Sequence, residues 1–212
     1  MIILGLTGSI GMGKSTAART LRRLGVPLFD ADAEVHRLLG PGGAAVGPVE
    51  AAFPGVRNEA GAINRQRLGR LVFGDQPALR RLEGIIHPMV RQAERRFVAR
   101  ARARRLPLVV LDIPLLFESG GVERCDCVLV VSAPLRLQRE RVLRRPGMSE
   151  SRFADILSAQ IPDREKRRRA DFVVATALGR SVSFRRLKAI VRTLRRGELP
   201  RPHRGKRSCA RS

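Results

Sequence analysis

The chain has 212 residues, and its 42 lysines and arginines outnumber its 19 aspartates and glutamates, for a formal net charge of +23. Its length suits one α/β domain with an insertion, and no run approaches the ~18 consecutive apolar residues that a membrane span needs. The three cysteines follow neither a disulfide framework nor a zinc-binding spacing, so we predict a cytoplasmic protein without a signal peptide.

The positive charge by itself would suit a nucleic-acid partner, but the composition argues against one. Arginines far outnumber lysines and are spread along the whole chain, which indicates a bias in amino-acid composition more than a localised surface for binding nucleic acid. The chain has no Trp or Tyr and only 8 Phe, so it offers little aromatic surface on which bases could stack. Polyphosphate substrates also attract a positive surface, and we therefore do not expect functional binding of nucleic acid.

The first predicted elements are a strand, a glycine-rich loop and a helix, in that order. Met1–Thr7 is a nearly all-apolar run, which is typical of a parallel strand buried on both faces. The next segment, Gly8–Thr16, fits the phosphate-loop pattern G-x-x-x-x-G-K-[ST], and apolar spacing predicts an amphipathic helix over Ser15–Leu24. A chance match in a glycine-rich turn would lack these flanks. The segment therefore predicts a site for a nucleoside triphosphate.

The residue types of this loop explain how it would bind a polyphosphate. Glycines allow positive φ and bring backbone N–H groups close to an anion, and the helix N-terminus adds its dipole. Lys14 suits the β- and γ-phosphates, and the Ser15 hydroxyl suits Mg²⁺. The predicted nucleotide-binding residues of the loop are Gly8, Gly11, Met12, Gly13, Lys14, Ser15 and Thr16.

Two acidic residues follow the second predicted strand, Val26–Phe29. Ligands of doubly wound sheets bind outside the carboxyl ends of the strands, so Asp30 and Asp32 are candidates for the site. A second interpretation makes Asp32 the N-cap of a helix over Ala33–Leu39. The residues alone leave both interpretations open.

A mostly helical block then separates the second strand from the third. Breaks at glycines and prolines divide it into predicted helices over residues 45–53, 65–73, 76–86 and 88–105, with His87-Pro88 interrupting the last two. The block is longer than a simple crossover requires. We interpret it as an insertion that binds a second substrate.

The third and fourth predicted strands bring further candidate site residues. Leu106–Asp112 is a buried strand that ends in a carboxylate, a position that often belongs to the Mg²⁺ shell of phosphate-loop proteins. After the next strand, Asp126–Ser132, a helix over Pro134–Arg145 carries Arg141 and Arg145 four residues apart. These arginines suit a lid that closes over phosphates, although an arginine run is more often a solvated face.

The C-terminal third completes the predicted fold. Ser149 and Glu150 cap a further helix, Ala170–Ala175 is a fifth strand, and Phe184–Leu194 is a final helix. We predict a three-layer α/β fold with a five-stranded parallel sheet, whose core is 1–32 and 106–196. The helical insertion spans about 33–105 and a small lid spans about 139–150, while the basic tail 197–212 is predicted to be disordered.

Taken together, these segments resemble the dephospho-CoA kinase family, over about residues 2–195. The segments that carry the resemblance are Gly5-Leu6-Thr7-Gly8 with the phosphate loop, Asp30-Ala31-Asp32, His87-Pro88, Asp112 to Glu118, Gln138-x-x-Arg141 with Arg145, Gln160, Lys166 and Ala170-Asp171-Phe172. The resemblance implies a phosphate-loop kinase fold and transfer of the γ-phosphoryl group of ATP, with Mg²⁺, to the ribose 3′-hydroxyl of dephospho-CoA.

The resemblance also implies roles for individual residues. Asp32 matches the catalytic base of the family, and Arg141 matches a lid arginine that meets the transferred phosphoryl group, with Arg145 beside it. The residues that match the acceptor side of the family are His87, Leu115 and Glu118. Glu118 and Asp112 border either the acceptor pocket or the Mg²⁺ shell, and the resemblance does not say which residue has which role. The chain departs from the family at Ser9, which replaces a glycine, and near Thr176, where the family commonly has Asn beside the adenine.

Two other functions compete with this prediction. Another small phosphate-loop kinase, for nucleosides or nucleoside monophosphates, would share the loop but not the Asp30–Asp32 and Asp112–Glu118 segments. A nucleic-acid-dependent NTPase would explain the charge and the basic tail, and its activity would need added nucleic acid. The expected partners are ATP and dephospho-CoA, with no membrane, and a monomer is the default oligomeric state.

Overall fold

The computed structural model describes residues 1–200, so the tail from 201 to 212, with most of the predicted disorder, lies outside the described residues. The strands are β1 (Ile2–Thr7), β2 (Leu28–Asp30), β3 (Leu108–Asp112), β4 (Cys127–Ser132) and β5 (Phe172–Ala175). The helices are α1 (Lys14–Arg23), α2 (Ala31–Leu39), α3 (Val46–Ala52), α4 (Arg65–Val72), α5 (Gln76–Ala103), α6 (Leu135–Leu143), α7 (Glu150–Ser158), α8 (Asp163–Arg169) and α9 (Arg180–Arg195).

The five strands form one sheet in the order β2-β3-β1-β4-β5, which confirms the predicted five-stranded parallel α/β fold. β1 lies in the centre and pairs in parallel with β3 on one side and with β4 on the other. The register places Leu6 opposite Asp112, and β4 pairs with β5 so that Ser132 lies opposite Ala175. Because the strands are parallel, the phosphate loop and the residues after β3, β4 and β5 meet at one edge of the sheet.

The sheet unit comprises Met1–Phe29 and the described residues from Ala101 onward. β1, β3 and β4 are buried along their full length, as expected for strands covered on both faces. The apolar faces of α1 and α9 contribute to the same core through Ala17, Leu21, Leu187 and Leu194 among others. This packing holds the start of α1, and thus the end of the phosphate loop, against a rigid sheet.

The helical unit comprises Asp30–Arg100 and has a hydrophobic core of its own. α2, α3, α4 and the first part of α5 supply its buried side chains, including Leu38, Val49, Leu68 and Ile86. Val49 is fully buried although it belongs to a helix of only seven residues. The helices of this unit are therefore held by tertiary packing more than by their own length.

The predicted interruption at His87-Pro88 is wrong, because α5 runs without a break from Gln76 to Ala103 with Pro88 inside it. An internal proline removes the bond to the carbonyl four residues earlier, here that of Gly84, and costs about 3 kcal/mol. Gly84 and Pro88 are both exposed, so water can reach the freed carbonyl. Apolar residues on both sides of the proline, among them Leu82 and Met89, pack on the core of the helical unit and outweigh this cost.

Several predicted boundaries also need correction. β2 extends to Asp30 instead of ending at Phe29, and α2 begins at Ala31 instead of Ala33. α6 ends at Leu143, so Arg145 lies beyond the helix and does not share a helical face with Arg141. Helix α8 and a short 3₁₀ turn over Gly121–Arg124 were not predicted, since neither is long enough to show a clear apolar period.

Candidate nucleotide site

The loop between β1 and α1 has the backbone conformation of an anion-binding site. Gly11 and Gly13 have φ of 75° and 92°, a region that only glycine adopts without strain. In residues 1–200 no backbone carbonyl accepts a hydrogen bond from the N–H groups of Gly11, Gly13, Lys14 or Ser15. These donors lie at the N-terminus of α1, where the helix dipole adds positive potential. The loop can therefore donate several hydrogen bonds to a phosphate group.

Gly8 and Met12 serve the loop in different ways. A Cβ on Gly8 would lie 2.5 Å from Val131 Cγ2 and 2.8 Å from the Val131 carbonyl oxygen, so only glycine fits against β4. The Met12 side chain is buried, and its Sδ lies 3.0 Å from the backbone N of Ala133. The Met12 side chain thus anchors the loop to the sheet. The Met12 N–H donates to the Ser9 carbonyl at 3.2 Å, and the Met12 carbonyl accepts from the Thr176 hydroxyl at 2.9 Å.

Lys14 and Asp112 form an ion pair, with 2.8 Å between Nζ and Oδ1. The strand register explains this contact, because β3 neighbours β1 and Asp112 ends it beside the start of the loop. The Asp112 side chain is 4% exposed and that of Lys14 17% exposed, so water screens their attraction only weakly. The structure thereby joins the predicted phosphate-binding lysine to the predicted metal-binding carboxylate.

The residues that could hold Mg²⁺ are few. Ser15 and Thr16 are exposed at the start of α1, and Asp112 is buried beside the loop. Within residues 1–200 no group of three or more His, Cys, Asp or Glu side chains is arranged to hold a metal ion. Mg²⁺ at a phosphoryl-transfer site binds phosphate oxygens, waters and only one or two protein groups. A serine hydroxyl and a carboxylate therefore fit the ion.

Two glutamines bind the backbone N–H and carbonyl of Ile10 in the middle of the loop. Gln138 Nε2 on α6 donates to the Ile10 carbonyl at 2.8 Å, and the Ile10 N–H donates to Gln160 Oε1 at 3.2 Å. Gln138 is 2% exposed. The sequence marked both glutamines as family-like without giving them a role, and the structure shows that they bind the two consecutive peptide groups on either side of the Ile10 Cα.

Arg141 lies against the phosphate loop and Thr176. Its Nη1 donates to the Gly11 carbonyl at 3.4 Å and to Thr176 Oγ1 at 3.0 Å, and its Nη2 donates to the Thr176 carbonyl at 3.1 Å. Arg141 is thus not on a freely solvated face. Arg145 is exposed beyond the end of α6, and its backbone N–H donates to the Val142 carbonyl. The contact of Thr176 with Arg141 was not predicted from the sequence. The signal that could have indicated it is the position of Thr176 directly after β5, at the edge of the sheet where the phosphate loop lies.

Glu118 binds inside the sheet unit. Its Oε1 lies 2.8 Å from Nζ of Lys166, which is completely buried, and it accepts the Ile161 N–H at 3.0 Å. The contact with Lys166 is an ion pair and not a well-aligned hydrogen bond, since Nζ lacks a hydrogen-bond partner in residues 1–200. Leu115, in the same segment after β3, is exposed with 43% of its surface accessible.

Asp32 and His87 belong to the helical unit. The proposal that Asp32 caps α2 is wrong, because the N-cap is Asp30, whose side chain accepts from the Ala33 N–H at 3.0 Å. Asp32 is exposed in the first turn of α2, where the helix dipole favours a negative charge. His87 is exposed in the middle of α5.

An open groove of the sheet unit lies away from the phosphate loop. It has a volume of about 830 Å³, and none of its lining residues belongs to the phosphate loop. The lining residues are Pro162, Arg164, Glu165, Arg167, Arg168 and Val173. The candidate nucleotide site is therefore identified by its backbone donors, Lys14 and Asp112, and not by the depth of a cavity.

Comparison with known proteins decides the family. The family model described as dephospho-CoA kinase matches residues 2–179, which include the whole helical unit and most of the sheet unit. The chain belongs to the dephospho-CoA kinase family. A dephospho-CoA kinase of Paramagnetospirillum magneticum is 59% identical over 195 residues, 92% of each chain. The family resemblance predicted from the sequence is thereby confirmed.

Solved structures support the same assignment. A Thermus thermophilus protein is 39% identical to the chain, with a TM-score of 0.79, and the match covers 91% of this chain and 97% of that protein. A dephospho-CoA kinase from Campylobacter jejuni is 25% identical, with a TM-score of 0.70, over 92% of this chain and 98% of its own. In the present chain, no helix within residues 1–200 is long and apolar enough to cross a bilayer.

Proposed function

We propose that this protein transfers the γ-phosphoryl group of ATP to the ribose 3′-hydroxyl of dephospho-CoA, giving CoA and ADP in the last step of CoA biosynthesis. The observation that carries the proposal is membership of the dephospho-CoA kinase family over residues 2–179. The phosphate loop adds a physical reason, since its free N–H groups and its lysine suit a nucleoside triphosphate.

The sheet unit would bind and orient the ATP phosphates. The backbone N–H groups of Gly11, Gly13, Lys14 and Ser15 would donate to the phosphate oxygens, and Lys14 would contribute a positive charge that stabilises the transferred group. Arg141 adds a second positive charge next to the loop. Arg145 follows α6 in the segment proposed as a lid, about 139–150, and would contact the nucleotide when that segment closes.

Ser15 and Asp112 would hold Mg²⁺. When bound, the ion neutralises phosphate charge and so makes the γ-phosphorus accessible to an oxygen nucleophile. A cation near Asp112 also has a structural reason. Asp112 is nearly buried, and a buried carboxylate needs a positive partner, which in this structure is Lys14.

The helical unit would supply the base. We assign this role to Asp32, an exposed carboxylate that can orient the acceptor hydroxyl and accept its proton during the transfer. His87, Leu115 and Glu118 are assigned to acceptor binding from the family resemblance. Of these, Glu118 has a second function in the sheet unit, because its Oε1 is bound to Lys166 and to the Ile161 N–H.

We also infer a cytoplasmic enzyme whose partners are small molecules. The three cysteines of the sequence follow neither a disulfide framework nor a zinc-binding spacing, which suits a reducing compartment. The net charge of +23 raises the local concentration of polyphosphate substrates and needs no nucleic acid to explain it.

One assay tests the proposed function. ADP release is measured with ATP and Mg²⁺ in the presence of dephospho-CoA, AMP, adenosine or RNA, each in turn. We expect turnover with dephospho-CoA to exceed turnover with the other three by at least about 100-fold, since an acceptor site rejects groups that leave its polar atoms unpaired. Preference for AMP or adenosine would make the protein a different small-molecule kinase. Turnover that requires RNA, and falls steeply with salt, would replace the kinase with a nucleic-acid-dependent NTPase.

A further inference from the structure

Thr176 contacts two parts of the nucleotide site at once. Its hydroxyl donates to the Met12 carbonyl at 2.9 Å and accepts a hydrogen bond from Arg141 Nη1 at 3.0 Å. The Ser132 carbonyl is a second, longer acceptor at 3.4 Å. A threonine hydroxyl has one hydrogen to donate, and using it on a carbonyl leaves its lone pairs for the guanidinium. The Thr176 hydroxyl therefore connects the phosphate loop to Arg141.

The backbone of Thr176 completes the contact with Arg141. Its carbonyl accepts from Arg141 Nη2 at 3.1 Å, so two guanidinium nitrogens bind to one residue. The Thr176 N–H donates to the Ser132 carbonyl at 2.9 Å, which ties the residue to the end of β4. An arginine side chain loses much of its rotational freedom when two nitrogens of its guanidinium group are hydrogen-bonded to the same residue. Arg141 is thereby held in one orientation before any nucleotide arrives.

The partners of Arg141 leave its positive charge uncompensated. In residues 1–200 they are all neutral oxygens, namely the Gly11 carbonyl and the hydroxyl and carbonyl of Thr176. The neighbouring arginines of the same segment differ, since Arg139 pairs with Glu150 and Arg144 with Glu140. A carboxylate on Arg141 would compete with phosphate for the guanidinium, whereas neutral acceptors position it without that competition.

Thr176 also packs against the start of α1. A Cβ on Gly13 would lie 3.2 Å from both Cγ2 and Oγ1 of Thr176, so the threonine occupies the space beside the N-cap of that helix. Both the methyl group and the hydroxyl thus lie beside Gly13, but only the hydroxyl also binds Arg141 and the Met12 carbonyl. Removing each group in a separate variant distinguishes packing from hydrogen bonding.

We propose that Thr176 is a positioning residue, which holds Arg141 beside the phosphate loop so that its charge acts on the phosphates of the bound nucleoside triphosphate. The role in phosphoryl transfer rests on the proposed function. The positioning of Arg141 does not depend on the identity of the acceptor.

The experiment compares three substitutions. Thr176→Val has nearly the shape of threonine but lacks the hydroxyl, and Thr176→Ser keeps the hydroxyl but lacks the methyl group. The matched control is Ser183→Ala, which removes a hydroxyl that donates to the Ala175 and Gly179 carbonyls without contacting Arg141 or the loop. Two quantities are measured for each, kcat with ATP and dephospho-CoA, and Kd for a non-hydrolysable ATP analogue without acceptor.

We expect Thr176→Val to lower kcat about 10- to 100-fold and to weaken analogue binding several-fold, as for loss of a hydrogen bond to a charged group. Thr176→Ser should stay within about threefold of the wild type, and Ser183→Ala should match the wild type. In an Arg141→Ala background, Thr176→Val should cause no further loss of kcat or affinity, because the group that it positions is already absent.

Three results would overturn the proposal. Thr176→Val could keep wild-type kcat and affinity, Thr176→Ser could lose as much as Thr176→Val, or the losses of Thr176→Val and Arg141→Ala could add. If Thr176→Val does not fold, Thr176→Ala and Thr176→Ser differ only in the hydroxyl oxygen and decide the same question. If the wild type leaves dephospho-CoA unphosphorylated, the proposed function fails, while analogue binding in the double-mutant cycle still decides the role of Thr176.

Discussion

Lys14 and Asp112 depend on each other for charge balance. Asp112 is almost buried, and a lone buried carboxylate costs several kcal/mol, so in this structure Lys14 compensates it. The ion pair therefore joins two residues with separately predicted roles, the phosphate-binding lysine of the loop pattern and the metal-binding carboxylate at the strand end.

Asp32 is the residue whose role a single substitution can test. We expect Asp32→Asn to lower kcat by about 10² to 10⁴, the usual effect of losing a general base. Stability should change by less than about 1 kcal/mol, because the exposed carboxylate contributes only its interaction with the N-terminus of α2. Steady-state kinetics and urea unfolding measure the two effects separately.

Glu34→Gln is the control for Asp32→Asn, since it removes the same charge from the same turn of α2 and breaks only the exposed ion pair with Arg37. It should leave kcat near the wild-type value. A near-normal kcat in Asp32→Asn would show that this carboxylate serves the helix N-terminus and not the reaction.

At the scale of the elements, helix α8 contacts the rest of the sheet unit through one buried side chain, that of Lys166. Lys166 is completely buried and reaches Glu118, which in turn accepts the N–H of Ile161 in the segment before α8. Gln160, one residue earlier, accepts the N–H of Ile10 in the phosphate loop. The Lys166–Glu118 ion pair thus helps to hold the segment Gln160–Ile161, which in turn binds the phosphate loop. It does so although α8 has only seven residues.

We expect Lys166→Met to destabilise the fold by about 3 to 5 kcal/mol, because it leaves the Glu118 carboxylate without its buried partner. Adding Glu118→Gln should recover much of this loss, since the amide oxygen still accepts the Ile161 N–H and carries no charge. The measurement is the urea midpoint at unchanged m-value.

The control on the same helix is Arg169→Met, which breaks the more exposed pair with Glu165 and should cost at most about 1 kcal/mol. Equal destabilisation by Lys166→Met and Arg169→Met would mean that the buried pair contributes no more than an exposed one.

On the scale of the whole molecule, the sheet unit and the helical unit each have a hydrophobic core of their own within residues 1–200. Leu129 is fully buried in the core of the sheet unit, and Leu38 is 3% exposed in the core of the helical unit. Separate cores allow each unit to open with its own free energy. The candidate nucleotide-binding loop belongs entirely to the sheet unit.

We therefore expect Leu38→Ala and Leu129→Ala to speed hydrogen exchange at different sets of backbone amides. Each substitution should lower the free energy of unfolding by about 2 to 5 kcal/mol through lost packing. Native-state hydrogen exchange should show faster exchange in α2 to α4 for Leu38→Ala. For Leu129→Ala it should show faster exchange in the strands of the sheet unit. Uniform acceleration over all described residues in both variants would mean that the units unfold as one.

The sequence determined the order of the five strands and predicted the candidate nucleotide site. Apolar runs such as Met1–Thr7 and the phosphate-loop spacing are local patterns, and local sterics and burial translate them directly into strand, loop and helix. The family resemblance was also readable, because its motifs occur in a fixed order along the chain. These features made the parallel fold and the predicted roles of Lys14 and Ser15 accessible from residues alone.

Only the tertiary structure decided how the site residues are held. Asp112 reaches Lys14 through the strand register, and Thr176 reaches Arg141 across 35 positions of the chain. The continuity of α5 through Pro88 likewise depended on packing that no local rule contains. Such contacts follow from which strands become neighbours and which faces pack, and the free energy of those choices is spread over the whole core.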